Sequence, residues 1–284
     1  MSLISEVLTF VGGLKFFSEV FLVPGAPPRV RDNETLRDIL PVKLTPSDTR
    51  NFIIYLRELA GRFGALDKRG VFTVSGKEFG RVRVVYGMQR GSYYLSLLKI
   101  PPEIPEVGEF FLQPDKFEKF YKVVKNASEL IFVVYGEDWF INATFIYGIF
   151  KKLTAEGGKV IMTVENPPAY LLPHGNCVSV QKELYVDNKT FEEAVEDIPL
   201  IVPNFVYTFD VLNIYTLPLE ALFRYITGEV NLFLNFPMRS KTLLKRFLTQ
   251  RTEIAREFAL VRVFRAGLGL YDFTVENFGK EVGA

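Results

Sequence analysis

The sequence predicts an α/β protein in which a small α+β domain precedes a larger domain with a mainly parallel sheet. In the second half of the chain, helical segments alternate with short apolar runs, namely residues 130–134, 159–164, 200–202 and 230–234. Strands that are apolar on both faces are typical of a parallel sheet covered by helices on both sides. The part before residue 101 instead carries closely spaced strands, and the proline-rich segment 101–105 follows them as a linker. We therefore place the domains at residues 1–103 and 104–284.

Length and composition restrict the classes of function. A chain of 284 residues, of which 48% are hydrophobic, can bury the cores of two domains. With 34 basic and 33 acidic residues the net charge is +1, which creates no field that would gather nucleic acid or anionic lipid. The single cysteine, Cys177, excludes an internal disulfide and a cysteine-built zinc site, and we expect no metal site. His174, the single histidine, is predicted to be an exposed loop residue rather than a catalytic base.

Apolar spacing and turn residues predict the first elements of the N-terminal domain. The first helix is amphipathic and lacks the features of a signal peptide; its apolar positions are Leu3, Ile4, Val7, Leu8, Val11 and Leu14. A short strand over 20–23 follows. A second helix is predicted over 46–63, with Ser47 or Asp48 as its cap.

Strands complete the N-terminal domain. They are predicted over residues 71–74, 81–86 and 93–100. Between Arg81 and Val85, charged and apolar residues alternate with a period of two, which is typical of a strand with one exposed face.

In the C-terminal domain, helices are predicted over residues 117–124, 142–153, 190–195 and 217–226. The segment 198–219 has Asp210 as its only charged residue and resembles a membrane span in its apolar character. Pro199, Pro203 and Pro218 argue against one continuous helix there, so we predict a buried strand and a packed helix. We expect no membrane span and a cytoplasmic protein.

Three segments, taken in order, resemble a known family. They are SEVFLVPGAPPRVR (18–31), GRVRVVYGMQRGSYYLSLLKIPPEIP (80–105) and VIMTVENPPAYLLPHGNCVSVQKELYVDNKTFEEAV (160–195). Together they are similar to conserved stretches of the PilT-like ATPases that retract type IV pili, and more loosely to the secretion ATPases of types II and IV. The resemblance covers about residues 1–235. It implies a PAS-like N-terminal domain joined to a RecA-like P-loop domain that ends early, assembly into a hexameric ring, and ATP held between the domains.

The same alignment implies that the phosphate-binding loop is degenerate. The family's GPTGSGKST falls on residues 135–144, where Ile141 stands in place of the lysine and Asn142 in place of the magnesium-binding hydroxyl. Trp139 and Phe140 are expected to crowd the loop. Glu137 and Asp138 are expected to repel a triphosphate.

Other catalytic motifs of the family depart from the pattern in the same direction. The acidic pair becomes Glu165-Asn166, and the Walker B glutamate aligns with Asn204. Both family histidines are missing from residues 227–229 and 235–237. Such a chain is not expected to catalyse phosphoryl transfer.

Some positions still match the family's nucleotide site. Arg81, Arg83 and Arg90 match arginines that help to hold the phosphates, although a solvated strand face explains them equally well. A vestigial nucleotide site would use Gly136, Arg81, Arg83 and Glu165. The basic stretch from Lys241 to Arg256 is either a docking face or the outer face of a C-terminal helix.

Two functional hypotheses follow. In the first, the chain is a pseudo-ATPase without cofactor that binds a pilus or secretion ATPase or associates with itself. In the second, it is a nucleotide-binding module that binds ATP or ADP weakly and without efficient hydrolysis. An unrelated enzyme has little to build on, because the chain has one histidine, one cysteine and no clustered carboxylates.

Overall fold

The computed structural model describes residues 2–32, 35–226, 229–251, 258–267 and 270–278. The chain divides into two compact units, Met1–Pro102 (unit 1) and Glu103–Ala284 (unit 2).

Unit 1 is a six-stranded antiparallel sheet in the order β3-β2-β1-β6-β5-β4. The strands are β1 (Glu19–Leu22), β2 (Arg29–Asp32), β3 (Thr35–Asp38), β4 (Gly70–Gly76), β5 (Gly80–Gln89) and β6 (Ser92–Ile100). Helices α1 (Leu3–Gly12) and α2 (Pro46–Leu59) pack against one face of this sheet through a shared apolar core. That core includes Val7 and Phe52 of the helices and Val20, Val84 and Leu97 of the strands.

Helix α2 is shorter than predicted and has a different cap. Its N-cap is Thr45, whose hydroxyl accepts a hydrogen bond from the Asp48 backbone N–H at 3.2 Å. The Asp48 carboxylate accepts one in return from the Thr45 backbone N–H at 2.7 Å. This reciprocal capping box explains why Asp48 lies inside the first turn rather than at the cap. The helix ends at Leu59, and Gly61 follows with a φ of 69°, a conformation that ends a helix readily.

Unit 2 holds a seven-stranded sheet in the order β13-β12-β7-β11-β10-β8-β9. Every neighbouring pair is parallel except the hairpin β12–β13. The strands are β7 (Ile131–Gly136), β8 (Val160–Asn166), β9 (Val178–Glu183), β10 (Phe205–Asp210), β11 (Asn231–Phe236), β12 (Phe258–Gly267) and β13 (Leu270–Phe278). The helices are α3 (Val107–Phe110), α4 (Pro114–Lys125), α5 (Trp139–Glu156), α6 (Phe191–Val195), α7 (Ile198–Ile201), α8 (Leu219–Tyr225) and α9 (Lys241–Arg251). The mixed architecture with a largely parallel sheet agrees with the predicted α/β class.

The prediction of a strand at residues 200–202 is wrong. Pro199 occupies the first turn of the short helix α7, and Val202 ends it with a φ of 50°. The buried strand of this region is β10, which begins at Phe205. The apolar run was therefore assigned to the wrong element, because its few residues fit a short helix as well as a strand.

Helix α5 begins at Trp139, three residues before the predicted start at Asn142. From Trp139 to Phe150 every residue of this helix is buried. A helix that is apolar on all sides belongs in the interior of a larger protein. Among the described residues, no helix is long and apolar enough to span a membrane.

Candidate functional site

The carboxyl ends of the central parallel strands define the candidate site of unit 2. Strands β7, β11, β10 and β8 lie side by side, so their last residues share one edge of the sheet. In open α/β sheets this edge is where ligands bind. The residues that end these strands and begin the following helix therefore decide what the edge can do.

The connection from β7 to α5 consists of Glu137 and Asp138 alone. Asp138 is the N-cap of α5, and its Oδ1 accepts a hydrogen bond from the Phe140 backbone N–H at 2.7 Å. The carboxylate thus occupies the helix N-terminus, where a phosphate would otherwise accept hydrogen bonds. Residues 135–144 were expected to form a degenerate loop. Instead they form the end of a strand, a connection of two residues and the first turns of a helix.

Aromatic side chains fill the space beside this connection. Trp139 is buried and stacks on Phe209 of β10 with ring centroids 4.7 Å apart. Phe140 is fully buried and contacts Tyr170 with centroids 5.3 Å apart. The two residues belong to the core of unit 2, and their rings pack on other strands and loops of that unit.

Asn142 lies in the first turns of helix α5, next to the carboxyl end of β11, rather than in a loop. Its side chain is fully buried, and Nδ2 donates to Asn235 Oδ1 at 2.9 Å and to the Phe236 carbonyl at 3.2 Å. Asn235 in turn donates to the Trp139 carbonyl at 2.8 Å and to Tyr207 Oη at 3.0 Å. A network of neutral side chains therefore connects α5, β11 and β10.

Gly136, the last residue of β7, is tightly enclosed. A Cβ atom at this position would lie 2.4 Å from the Val263 carbonyl oxygen and 2.7 Å from Asn142 Oδ1. The glycine therefore allows close packing of β12 and α5 against β7.

Glu165 is the penultimate residue of β8 and is fully buried. Its Oε1 accepts a hydrogen bond from Tyr147 Oη at 2.5 Å, and its Oε2 accepts one from the Ala169 backbone N–H at 3.4 Å. Gln181 donates to Tyr147 Oη at 2.9 Å and extends the network to β9. Burial raises the pKa of Tyr147 well above its ordinary value, and the neighbouring Glu165 carboxylate raises it further. The carboxylate is held by protein donors inside the unit.

Asp210 was not considered as a site residue, and the structure places it at the end of β10 beside Asn166. It is buried and accepts four hydrogen bonds, from Asn166 Nδ2 at 2.9 Å, the Leu212 backbone N–H at 3.0 Å, Tyr185 Oη at 2.7 Å and Asn213 Nδ2 at 2.8 Å. Burial, followed by the hydrogen bond to Asp210, raises the pKa of Tyr185 to about 12. A cavity of about 330 Å³ opens beside Asp210 and Tyr185.

Asn204, with which the family's Walker B glutamate aligns, does not lie in a strand. Asn204 precedes β10 and lies at the opposite edge, where its Oδ1 accepts a hydrogen bond from the Val160 backbone N–H at 2.8 Å. A carboxylate, Asp210, does stand at the carboxyl end of this strand. The sequence signal that could have identified Asp210 is its position as the single charged residue directly after the apolar run FVYTF.

Arg81 and Arg83 lie on β5 of unit 1. Arg83 is buried, contrary to the expected half-exposed strand face, and its Nη2 lies 3.7 Å from Glu19 Oε1. Glu19 also pairs with Arg31 at 2.5 Å. Arg83 and Arg31 therefore share one internal carboxylate.

The remaining predicted positions are placed as follows. His174 is exposed, as predicted, and its Nδ1 accepts a hydrogen bond from the Ser179 backbone N–H at 3.2 Å. Residues 227 and 228 and Arg256 lie outside the described residues. Among the residues that the structure does describe, no group of histidine, cysteine or acidic side chains could hold a metal ion.

Comparison with known proteins gives one similar sequence and several similar folds. No protein-family model matches the chain. The chain is 25% identical over 181 residues to the type IV pilus ATPase PilU of Pseudomonas aeruginosa, which covers 63% of this chain. The match covers 46% of PilU, so the chain spans about half the length of this relative.

The solved structures agree on the fold. The pilus retraction motor PilT with bound ADP superimposes with a TM-score of 0.66 at 20% identity, covering 98% of this chain and 83% of PilT. The ATPase DotB of Yersinia pseudotuberculosis gives a TM-score of 0.63 at 14% identity, covering 93% and 76% of the two chains. DotB of Legionella pneumophila gives 0.59 at 15% identity, covering 96% and 78%. The chain is therefore similar in part of its sequence to a pilus ATPase and similar in fold to pilus retraction and secretion ATPases.

Proposed function

We propose that the protein is a PilT-like pseudo-ATPase, which does not hydrolyse ATP and acts as a binding or regulatory partner in type IV pilus or secretion machinery. The observation that carries this proposal is the connection of two residues between β7 and α5, which is capped by Asp138. A phosphate-binding loop needs several successive backbone N–H groups and a lysine around the phosphates. Two residues cannot surround a phosphate, and neither of them is basic.

Electrostatics supports the same proposal. Glu137 and Asp138 place two carboxylates at the position where a triphosphate would bind, and the exposed Glu137 pairs with Arg239 at 3.0 Å. A phosphate group there would meet like charges and would have to displace the Asp138 cap. That cap contributes about 1 kcal/mol to the helix.

The two carboxylates that remain at the sheet edge support it as well. Glu165 and Asp210 accept their hydrogen bonds from protein groups. For either to orient a water or a metal ion, buried donors would have to give up their acceptor, which costs about 1–3 kcal/mol for each unsatisfied group. In this proposal both residues stabilise the fold.

The proposed role as a binding partner in the cytoplasm rests on the similarity of the chain to pilus ATPases. PilU is a pilus ATPase and PilT a pilus retraction motor. The antiparallel sheet of unit 1, with helices on one face, supports a PAS-like domain of the kind that the family resemblance implies. In this proposal the chain keeps the family's shape for association with itself or with an active ATPase, without the turnover.

A nucleotide-binding module without hydrolysis is the second candidate. It is favoured by the fold match to a structure with bound ADP and by the cavity beside Asp210. In this case Arg81, Arg83, Gly136 and Glu165 would contribute to a vestigial site. Binding of Mg-ADP to the folded chain would raise its stability by about 2.7 kcal/mol at a hundredfold excess over the dissociation constant.

Phosphate release from Mg-ATP tests the main proposal. We expect no release above buffer from the full chain, and the same result from Glu165→Gln and Asp210→Asn. Turnover by the unmodified chain that both variants lose would contradict the proposal. Fluorescence of the single tryptophan, Trp139, checks that each variant is folded. Calorimetry with Mg-ADP separates the second candidate, because only a nucleotide-binding module gives a saturable signal.

Partner binding needs its own measurement. We would mix the chain with a PilT-like ATPase from the same organism and follow size-exclusion chromatography by light scattering, together with ATP turnover. Co-elution with a changed turnover rate supports the regulatory role. If the chain neither co-elutes nor associates with itself, the partner role is excluded.

A further inference from the structure

Unit 1 contains a cavity of about 580 Å³ beside the turn between β4 and β5. Its walls include the basic residues Lys77, Arg81 and Lys99, and no lining residue is acidic. Phe16 and Pro102 provide apolar walls. A volume of this size is typical of sites for small molecules.

Lys99 is the unusual member of this lining. Its side chain is only 6% exposed, although lysine is rarely buried without an ionic partner. Among the described residues, its Nζ has one hydrogen-bond partner, the Phe79 carbonyl oxygen. Burial lowers the pKa of Lys99, as expected for an ammonium group without a neighbouring carboxylate.

The backbone around the ammonium group leaves room for it. Gly80 has a φ of 68°, and a Cβ atom there would lie 2.8 Å from Lys99 Nζ. The register places Lys99 opposite Val82, whereas Arg81 lies opposite Ile100. Lys99 therefore projects from the sheet face that carries the apolar core, and Arg81 projects from the other face. Lys99 is thus the basic lining residue on the core-bearing side of the sheet, and Arg81 reaches the cavity from the other face.

We propose that this cavity binds a small organic anion, with its carboxylate or phosphate group on Lys99 and Lys77 and its apolar part against Phe16. A buried cation without a counter-ion is unfavourable, and a bound anion supplies the missing charge. Lys77 and Arg81 add positive potential at the same cavity. The inference concerns unit 1 and does not depend on the absence of ATP turnover.

Calorimetry on the full chain tests the proposal with hexanoate, hexyl phosphate, inorganic phosphate and 1-hexanol. We expect saturable binding of hexanoate or hexyl phosphate and none of hexanol, which lacks the charge. The two charged amphiphiles distinguish a carboxylate from a phosphate ligand. Inorganic phosphate should bind more weakly than hexyl phosphate, because it cannot use the apolar wall.

Variants connect the signal to the cavity. Lys99→Met should weaken binding about tenfold or more, the equivalent of one charged hydrogen bond. Lys77→Gln, at an exposed position, should weaken it less, and Phe16→Ser should weaken binding of the hexyl compounds but not of inorganic phosphate. Lys68→Gln is the matched control, because Lys68 is exposed and lies outside the lining.

Three results would overturn the proposal. They are no binding of either amphiphile at millimolar concentration, equal binding by Lys99→Met, and binding of hexanol as strong as that of hexanoate. If Lys99→Met does not fold, Lys77→Gln and Phe16→Ser decide, since both replace exposed side chains.

Discussion

Both units bury ionisable side chains, but the partners of these side chains differ. In unit 2, Glu165 and Asp210 accept hydrogen bonds from tyrosine, amide and backbone donors of the same unit. In unit 1, the ammonium group of Lys99 donates to a single backbone carbonyl beside an open cavity. Among the described residues, each of the two carboxylates in unit 2 has several donors within the unit, whereas the ammonium group in unit 1 has one acceptor and would gain from a bound anion.

The comparison shows that the two units satisfy their buried charges in different ways. The chain shares its fold with PilT, and several side chains at the carboxyl edge of the sheet in unit 2 contact other side chains of the same unit. The place where a related fold binds its ligand is therefore no proof that a ligand binds there. Two kinds of mutation test this difference directly. One removes an internal hydrogen-bond partner in unit 2, and the other removes the buried charge of Lys99 in unit 1.

The largest expected effect is at Glu165. Replacing it by leucine keeps the volume similar but removes the acceptor of Tyr147 Oη and of the Ala169 backbone N–H. We expect unit 2 to lose about 3 kcal/mol of unfolding free energy, since two buried donors are left unsatisfied. Urea unfolding followed by Trp139 fluorescence measures it. Glu165→Gln is the matched control and should lose less, because its amide oxygen can still accept. Unchanged stability of Glu165→Leu would show that other acceptors serve these donors.

Alkaline pH should destabilise unit 2 next most strongly. Tyr147 and Tyr207 are fully buried, and burial, followed by the Glu165 charge, raises the pKa of both well above 10.0. Folding favours the neutral phenols, so this stability is complete below pH 10 and is lost as the pH rises above the unfolded pKa. Each tyrosine should contribute a slope of about 1.4 kcal/mol per pH unit. Urea titrations between pH 9 and about 11 would measure it, and Tyr207→Phe should lower the slope by about 1.4 kcal/mol per pH unit. A flat profile would contradict the predicted role of the two phenols.

Asp138→Ala tests whether the Asp138 charge or the short β7–α5 connection prevents a nucleotide from binding at the sheet edge. Its expected effect on stability is smaller than the two above. Loss of the N-cap hydrogen bond to the Phe140 backbone N–H should destabilise unit 2 by about 1 kcal/mol. Nucleotide binding should not appear, because the connection still has only two residues. Asp138→Asn is the matched control, since it can cap the helix without the charge. A saturable Mg-ADP signal in calorimetry of Asp138→Ala would show that the carboxylate alone had excluded the nucleotide.

The smallest effect, with the opposite sign, is expected at Lys99. Lys99→Met removes a buried ammonium group that lacks a carboxylate partner and keeps an apolar side chain of similar length. The unfolding free energy of unit 1 should stay the same or rise by up to about 1 kcal/mol. Hydrogen exchange of β5 and β6, followed by mass spectrometry, measures it in the absence of added anions. A clear loss of stability would mean that the hydrogen bond to the Phe79 carbonyl is structural and would weaken the contrast between the units.

Local patterns predicted most of the fold. Helices α1 and α4, strands β5 to β8 and the α/β class follow from apolar spacing, which depends on neighbouring residues in the chain. The run Ile198 to Val202 was assigned wrongly to a strand, since a short apolar segment is compatible with a strand or a helix. Pro199 lies in the first turn of a helix, where proline is well tolerated. The hairpin β12–β13 was not predicted.

The candidate site was predicted only in part. The family resemblance pointed to the β7–α5 connection and to Glu165, and the structure places both at the carboxyl edge of the sheet. Asp210 was missed because the buried strand of this region was predicted at residues 200–202. The strand that ends at the sheet edge is β10, and Asp210 is its last residue. Arg83 was expected on the exposed face of its strand, but it is buried and forms an ion pair with Glu19 of strand β1.

By itself, the sequence determined the division into an α+β and an α/β part and the resemblance to the PilT-like family, and it led to the expectation that the phosphate-loop residues are replaced, since all of these features lie in consecutive residues. The tertiary structure alone decided that Asp138 caps α5, that Glu165 and Asp210 are satisfied by distant donors and that Lys99 faces a cavity without an acidic lining residue. These features depend on strand register and on contacts between residues far apart in the chain, which local patterns do not encode.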